Sequence, residues 1–188
     1  PMKLQSPSSK ALHAALNKSA KCIGSKNTIA ILDNVLLTRK GEQFFLTSST
    51  TEAQLTIPAP LTICNVTYDR DIVLPITMLS ALLGTLPDCV VTFDIPDDSQ
   101  AFTVEYCTSS EDNVKPGKAQ MCLFPGGDFP QMEQPNAEQS SVISLPMSLF
   151  HSVVDTADKF AVMDELRPQL SCLCIDVAED RSEVVFVG

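Results

Sequence analysis

The chain has 188 residues, 44% of them apolar, with no unbroken apolar stretch near the roughly 20 residues of a membrane span. Its formal charge of −10 excludes a uniformly basic nucleic-acid binder. Seven cysteines without a Cys-x-x-Cys spacing speak against a disulfide framework and for a reducing compartment, so the expectation is a cytoplasmic protein with no membrane contact.

The first predicted strand is Lys3–Gln5. Ser6 suits a helix N-cap and Pro7 the first helical position, where a missing N–H costs nothing. The helix is predicted to run to about Ile23, with Gly24 as a left-handed stop. Strands are predicted at Ile29–Thr38, Phe44–Ser48 and Ala53–Ile57, and Lys40-Gly41 marks the turn between the first two. Up to Ser48 the chain carries Lys3, Lys10, Lys18, Lys21, Lys26, Arg39 and Lys40 against only Asp33 and Glu42, so the acidic excess belongs to the remainder.

At about 100° per residue, Leu12, Leu16 and Ile23 form one narrow apolar stripe on this helix. Lys10, Lys18 and Lys21 share the opposite side, and Lys26 follows just past the helix end. Such a row is either a solvated surface or a face that tracks phosphates. Lysines without interleaved aromatic or base-reading side chains suit contact with a nucleic-acid backbone, without sequence preference.

A second series starts with a strand at Ile72–Leu74 and a helix over Pro75–Leu86 that carries no basic residue. Strands follow at Val90–Ile95, Phe102–Cys107 and Gln120–Leu123, with residues 108–118 read as a loop and 125–140 as a linker rich in Pro, Gly and polar residues. A third series has a strand at Val142–Leu145, a helix over Pro146–Ala161, and strands at Gln169–Val177 and Glu183–Val187.

These series are repeats of one another. A shift of 71 positions places Leu74-Pro75 on Leu145-Pro146, Met78-Leu79 on Leu149-Phe150, and Thr85 on Thr156. A shift of 138 positions places His13, Lys21, Leu32 and Val35 on His151, Lys159, Leu170 and Leu173. One β-α-β-β-β unit therefore begins three times, near residues 3, 71 and 142. The expected division is a first domain of two units over 1–124, a linker over 125–140, and an incomplete second domain over 141–188. Gly188 falls where the matching first unit still has a strand to come, which predicts a fragment or a natural truncation.

No catalytic set stands out. His13 and His151 sit at equivalent helical positions and read as half-exposed helix residues. Cys172 and Cys174 alternate on a predicted strand and read as small buried hydrophobes rather than a metal pair. Asp94, Asp97 and Asp98 around Pro96, and Asp69 with Asp71, read as turn carboxylates that cap backbone groups, with a metal site as the lesser reading. No catalytic residue, metal ligand or cofactor is predicted.

Residues 160–170, FAVMDELRPQL, resemble a signature of the bacterial sliding clamp, the beta subunit of DNA polymerase III. Ser25–Leu37, SKNTIAILDNVLL, is similar to that family's first-domain segment, Leu74–Asp88 to its second helix, and Phe129-Pro130 to an element before its domain junction. The resemblance implies an α+β DNA-clamp fold of repeated β-α-β-β-β units, with helices on one face and sheets on the other. It implies a ring of two three-domain chains that encircles duplex DNA, slides, and confers processivity on the replicative polymerase without catalysis. Partners would be duplex DNA, the polymerase and clamp-loader subunits, and a second copy in a homodimeric ring.

By position, the resemblance makes Lys26 and Arg167 DNA contacts beside Lys10, Lys18 and Lys21. It makes Leu170 part of a groove for partner peptides, the rest of which is expected beyond Gly188. The sequence departs from the family at Ala30, where proline is usual, at Ser49-Thr50-Thr51-Glu52, in the second helix without basic residues, and at Pro168 and Gln169. These departures motivate a second reading, a clamp-like paralogue that binds proteins without loading on DNA. A metal-dependent hydrolase built on the aspartate turns is a distant third.

Overall fold

The computed structural model describes residues 1–24, 27–50, 52–64, 70–97, 99–110, 113–132, 136, 142–161, 166–178 and 183–187. The chain divides into two compact parts, Pro1–Glu133 and Gln134–Gly188.

The first part contains strands β1 (Met2–Ser6), β2 (Val35–Lys40), β3 (Gln43–Ser49), β4 (Gln54–Ala59), β5 (Thr62–Ile63), β6 (Ile72–Leu74), β7 (Val91–Ile95), β8 (Ala101–Ser110), β9 (Asn113–Cys122) and β10 (Phe124–Pro125). Its helices are α1 (Ser9–Ser19) and α2 (Ile76–Thr85). The strands form two five-stranded sheets, ordered β5-β1-β7-β8-β9 and β10-β6-β2-β3-β4. Each opening strand pairs on one side with a two-residue strand of its own repeat, β1 with β5 and β6 with β10, and on the other side with the other repeat. β1 pairs antiparallel with β7, Leu4 opposite Phe93, and β6 pairs antiparallel with β2, Val73 opposite Leu36.

One core joins the inner faces of both sheets to both helices. Leu4, Val35, Leu37, Phe44, Leu46, Ile72, Leu74, Phe93 and Phe102 meet Leu12, Leu16, Leu79 and Leu83 there. The apolar runs at Val35–Leu37 and Ile72–Leu74 have no polar alternation because both of their faces are covered. Val35, Leu37, Ile72 and Leu74 point into the main core. Leu36 and Val73 point to the other side, where Leu32 and Phe129 cover them.

Several sequence expectations change here. The N-cap of α1 is Ser8, whose Oγ accepts from Ala11 N, because Ser6 is still paired with Val91 in the β1–β7 ladder. The helix ends by tightening into a 3-10 turn at Ala20–Cys22, and extended Ile23 follows. Gly24 is not a left-handed stop, since Gly41 in the β2–β3 turn is the glycine with positive φ among the described residues. The strand expected over Ile29–Thr38 starts only at Val35. Ala30–Asp33 form a 3-10 turn, and the Asn34 amide donates to the carbonyls of Ala30 and Ile31.

The expected loop at 108–118 is mostly a hairpin. β8 and β9 pair as far as Ser110 opposite Asn113. Pro116 and Gly117 are tolerated because β9 is an edge strand. The linker expected from residue 125 begins as packed structure: β10 pairs with β6, a 3-10 turn spans Gly126–Asp128, and Phe129 is buried.

The second part has helix α3 (Met147–Asp158), a 3-10 turn at Pro168–Ser171, and the antiparallel pair β11 (Cys174–Val177) and β12 (Val184–Val187). The turn at 168–171 lies 138 positions after the turn at 30–33, so the repeat is structural as well as sequential. Val142–Leu145, expected as a strand, is not one. Cys172 and Cys174 are exposed, which corrects the expectation that they are buried, and Cys172 precedes the strand. Asp69, Asp98 and residues 162–165 of the signature lie outside the described residues.

Candidate nucleic-acid interface

The sequence dictates how α1 presents its lysines. Ser9, Leu12, Ala15, Leu16 and Ser19 recur at helical spacing and are buried, which turns Lys10, Ala14, Asn17 and Lys18 outward. Lys21 follows on the 3-10 turn, also exposed. Among the described residues no ion pair engages Lys10, Lys18 or Lys21. Lys26 lies outside the described residues.

The start of α1 is tied to the loop after α2. Ser9 N donates to Cys89 O at 2.8 Å, and Ser9 Oγ donates to Pro87 O at 2.9 Å. Asp88 Oδ1 accepts from Ser8 Oγ at 2.6 Å and from Lys10 N at 3.3 Å. The Ser8 hydroxyl, then the Lys10 amide, hold the Asp88 carboxyl below its ordinary range. A carboxylate at this end also complements the helix dipole, and it sets one negative charge beside the first lysine of the row.

Along their length the helices meet through small and polar side chains. Ser80 Oγ donates to Asn17 Oδ1 at 2.8 Å, and Asn17 Nδ2 lies 3.2 Å from His13 Nε2. A shallow groove of about 430 Å³ runs between His13, Ala20, Ile76, Thr77, Ser80, Ala81 and Gly84. Gly84 keeps it open on one side, since a Cβ there would come within 3.3 Å of the His13 ring. The outward residues of α2, Thr77, Met78, Ala81, Gly84 and Thr85, are all neutral. The interface is thus one basic helix beside one neutral helix. It can attract a polyanion and has nothing arranged to read bases.

In the second part, Arg167 and Leu170 sit on one turn, where Leu170 N donates to Arg167 O at 2.9 Å. Both are exposed. His151, at the position matching His13, pairs with Asp155 at 3.1 Å and is more exposed than the half-exposed reading implied. Among the described residues no group of His, Cys, Asp and Glu is arranged to hold a metal ion, and no helix is long and apolar enough to cross a membrane. Sequence reasoning missed the Asp88 cap and the His13–Asn17–Ser80 chain. Their partners are 63 to 80 residues apart, and only the two-helix packing brings them together.

The family model of the DNA polymerase III beta subunit, N-terminal domain, matches residues 6–132. No curated protein matches the chain. Among solved structures, the DNA polymerase sliding clamp of Caulobacter crescentus superposes with a TM-score of 0.76 at 21% identity, over 98% of this chain and 46% of that one. The griselimycin-bound clamp of Pseudomonas aeruginosa gives 0.74 at 21% identity, over 94% of this chain and 44% of that one. The beta subunit of Streptococcus pyogenes gives 0.72 at 20%, over 94% and 44%. The chain thus has the sliding-clamp fold and spans less than half the length of these solved clamps.

Proposed function

Because the chain belongs to the DNA polymerase III beta-subunit family, we propose that it serves in a DNA sliding clamp. Two copies of the protein would close a ring around duplex DNA and tether the replicative polymerase in the cytoplasm, without catalysing a reaction. The row of exposed lysines on α1, in a chain of net charge −10, carries this reading. Lys10, Lys18 and Lys21 attract phosphates along one face while the acidic remainder repels them, a balance that favours loose, sequence-independent contact. Lys26 and Arg167 are assigned to the same contact by position. Leu170 is assigned to the groove that takes peptides of polymerase and clamp-loader subunits.

The test is the salt dependence of binding to a labelled duplex. Each neutralised phosphate contributes about −0.9 to the slope of log K against log salt. Changing Lys10, Lys18 and Lys21 together to Glu is expected to lower the slope by about 2 to 3 and to weaken binding equally for all sequences. The neutral outer face of α2 favours a second reading, a clamp-like paralogue that engages proteins and not DNA. A slope unchanged by the triple substitution would select it.

A further inference from the structure

Between the lysine row and the neutral second helix lies a histidine that the row does not explain. His13 stands three positions after Lys10, on the flank of α1 turned toward α2, and its half-buried ring lines the groove between the helices. Ser80 Oγ donates to Asn17 Oδ1 at 2.8 Å, so the amide turns its Nδ2 toward His13 Nε2, 3.2 Å away. In that polarity Nε2 accepts, and the ring is neutral with its proton on Nδ1. The amide can also turn over. Asn17 Oδ1 then accepts from a protonated Nε2, and Nδ2 donates to the Ser80 hydroxyl oxygen. Both contacts keep a donor and an acceptor in either polarity, so the chain loses no hydrogen bond when His13 gains a proton. The third repeat is built differently. There, 138 positions on, His151 meets the carboxylate of Asp155 at 3.1 Å, which accepts only and cannot reverse.

We propose that His13 is a proton-linked phosphate contact, which takes up a proton from solvent as the duplex backbone approaches and adds a fourth positive charge on the side of α1 nearest the neutral helix. This rests on the reading of α1 as a phosphate-contacting face and goes beyond it. The charged groups around the ring are Lys10 and Lys18 on α1, Lys21 on the turn after it, and Asp88 beside the helix start. The groove residues of α2, Ile76, Thr77, Ser80, Ala81 and Gly84, carry no charge, and neither do strands β3 and β4, which pack beneath α1. Among the described residues no ion pair engages His13, and nothing bonds its Nδ1. A phosphate set against the lysine row supplies the missing anion, and Nδ1–H is left to donate to it while Asn17 holds Nε2–H. Histidine ordinarily titrates near pH 6.5, which brings the exchange within reach of neutral pH.

The salt dependence of binding to a labelled duplex, measured at about pH 6 and about pH 8 on either side of the histidine range, tests this. The parent is expected to show a slope steeper by about 0.9 at the lower pH, the contribution of one more neutralised phosphate. His13→Gln keeps a hydrogen-bonding side chain without the charge, so it should give one slope at both pH values, with circular dichroism matching the parent. His151→Gln removes the other of the two histidines and should behave as the parent does. A slope that stands at the higher pH and is unchanged at the lower would overturn the proton linkage and leave the lysine contacts intact. A pH effect that survives in His13→Gln would overturn it as well. A parent without salt-dependent binding at either pH would instead sink the phosphate-contacting face itself, and the proposal with it.

Discussion

Asp88 is a single exposed carboxylate that holds two elements together. It accepts from the Ser8 hydroxyl and the Lys10 amide, and these bonds depress its pKa below the ordinary 3.8. A carboxylate depressed in the folded state stabilises it fully above the unfolded pKa, and the contribution is lost as pH falls through the folded value. Thermal melts of Asp88→Ala are therefore expected to lie below those of the parent at neutral pH. The gap should close as pH drops below about 4. A constant gap across pH would assign the effect to packing instead. Gly126 poses a different constraint. Its amide donates to Asp71 O at 3.0 Å, and a Cβ would come within 2.6 Å of Asp71 backbone atoms. Gly126→Ala is expected to cost about 1–3 kcal/mol in urea unfolding.

Among the elements, the segment after β10 does more than connect. Phe129 closes a small cluster with Leu32, Leu36 and Val73 on the side of the sheet away from the helices. Phe129→Ala is expected to cost about 3 kcal/mol in urea unfolding, with helical circular dichroism retained in the native baseline. The sequence concealed this role, since Pro, Gly and polar residues around Phe129 read as a linker. The same local chemistry hid the β8–β9 hairpin behind Lys115-Pro116-Gly117, because propensity does not register that an edge strand tolerates proline. Helices α1 and α2 were legible because their buried residues keep helical spacing, although the serine read as the cap of α1 was Ser6 and the cap is Ser8. The turns at 30–33 and 168–171 were not, since apolar residues in a 3-10 turn look like the start of a strand. The lysine row was legible as a helical stripe; its neutral neighbour and the Asp88 tie needed the two helices in place.

For the molecule, the internal repeat was the feature that local propensity could not obscure. It predicted three like units and their order, and in the first part the fold packs both helices against the inner faces of the two sheets. It did not predict that the opening strands are exchanged, because identical units paired within themselves would show the same periodicity. That exchange has a consequence for synthesis. β1 emerges first, yet its ladder partner β7 is some 90 residues away, and β6 must in turn reach back to β2. While only the first repeat has been made, its opening strand has only the two-residue pairing with β5, and its core lacks α2. Closing so long a loop defers the gain until most of the part exists. A nascent chain shorter than about 120 residues is therefore expected to expose apolar surface that chaperones can bind, until β7, β8 and β9 have joined the sheet.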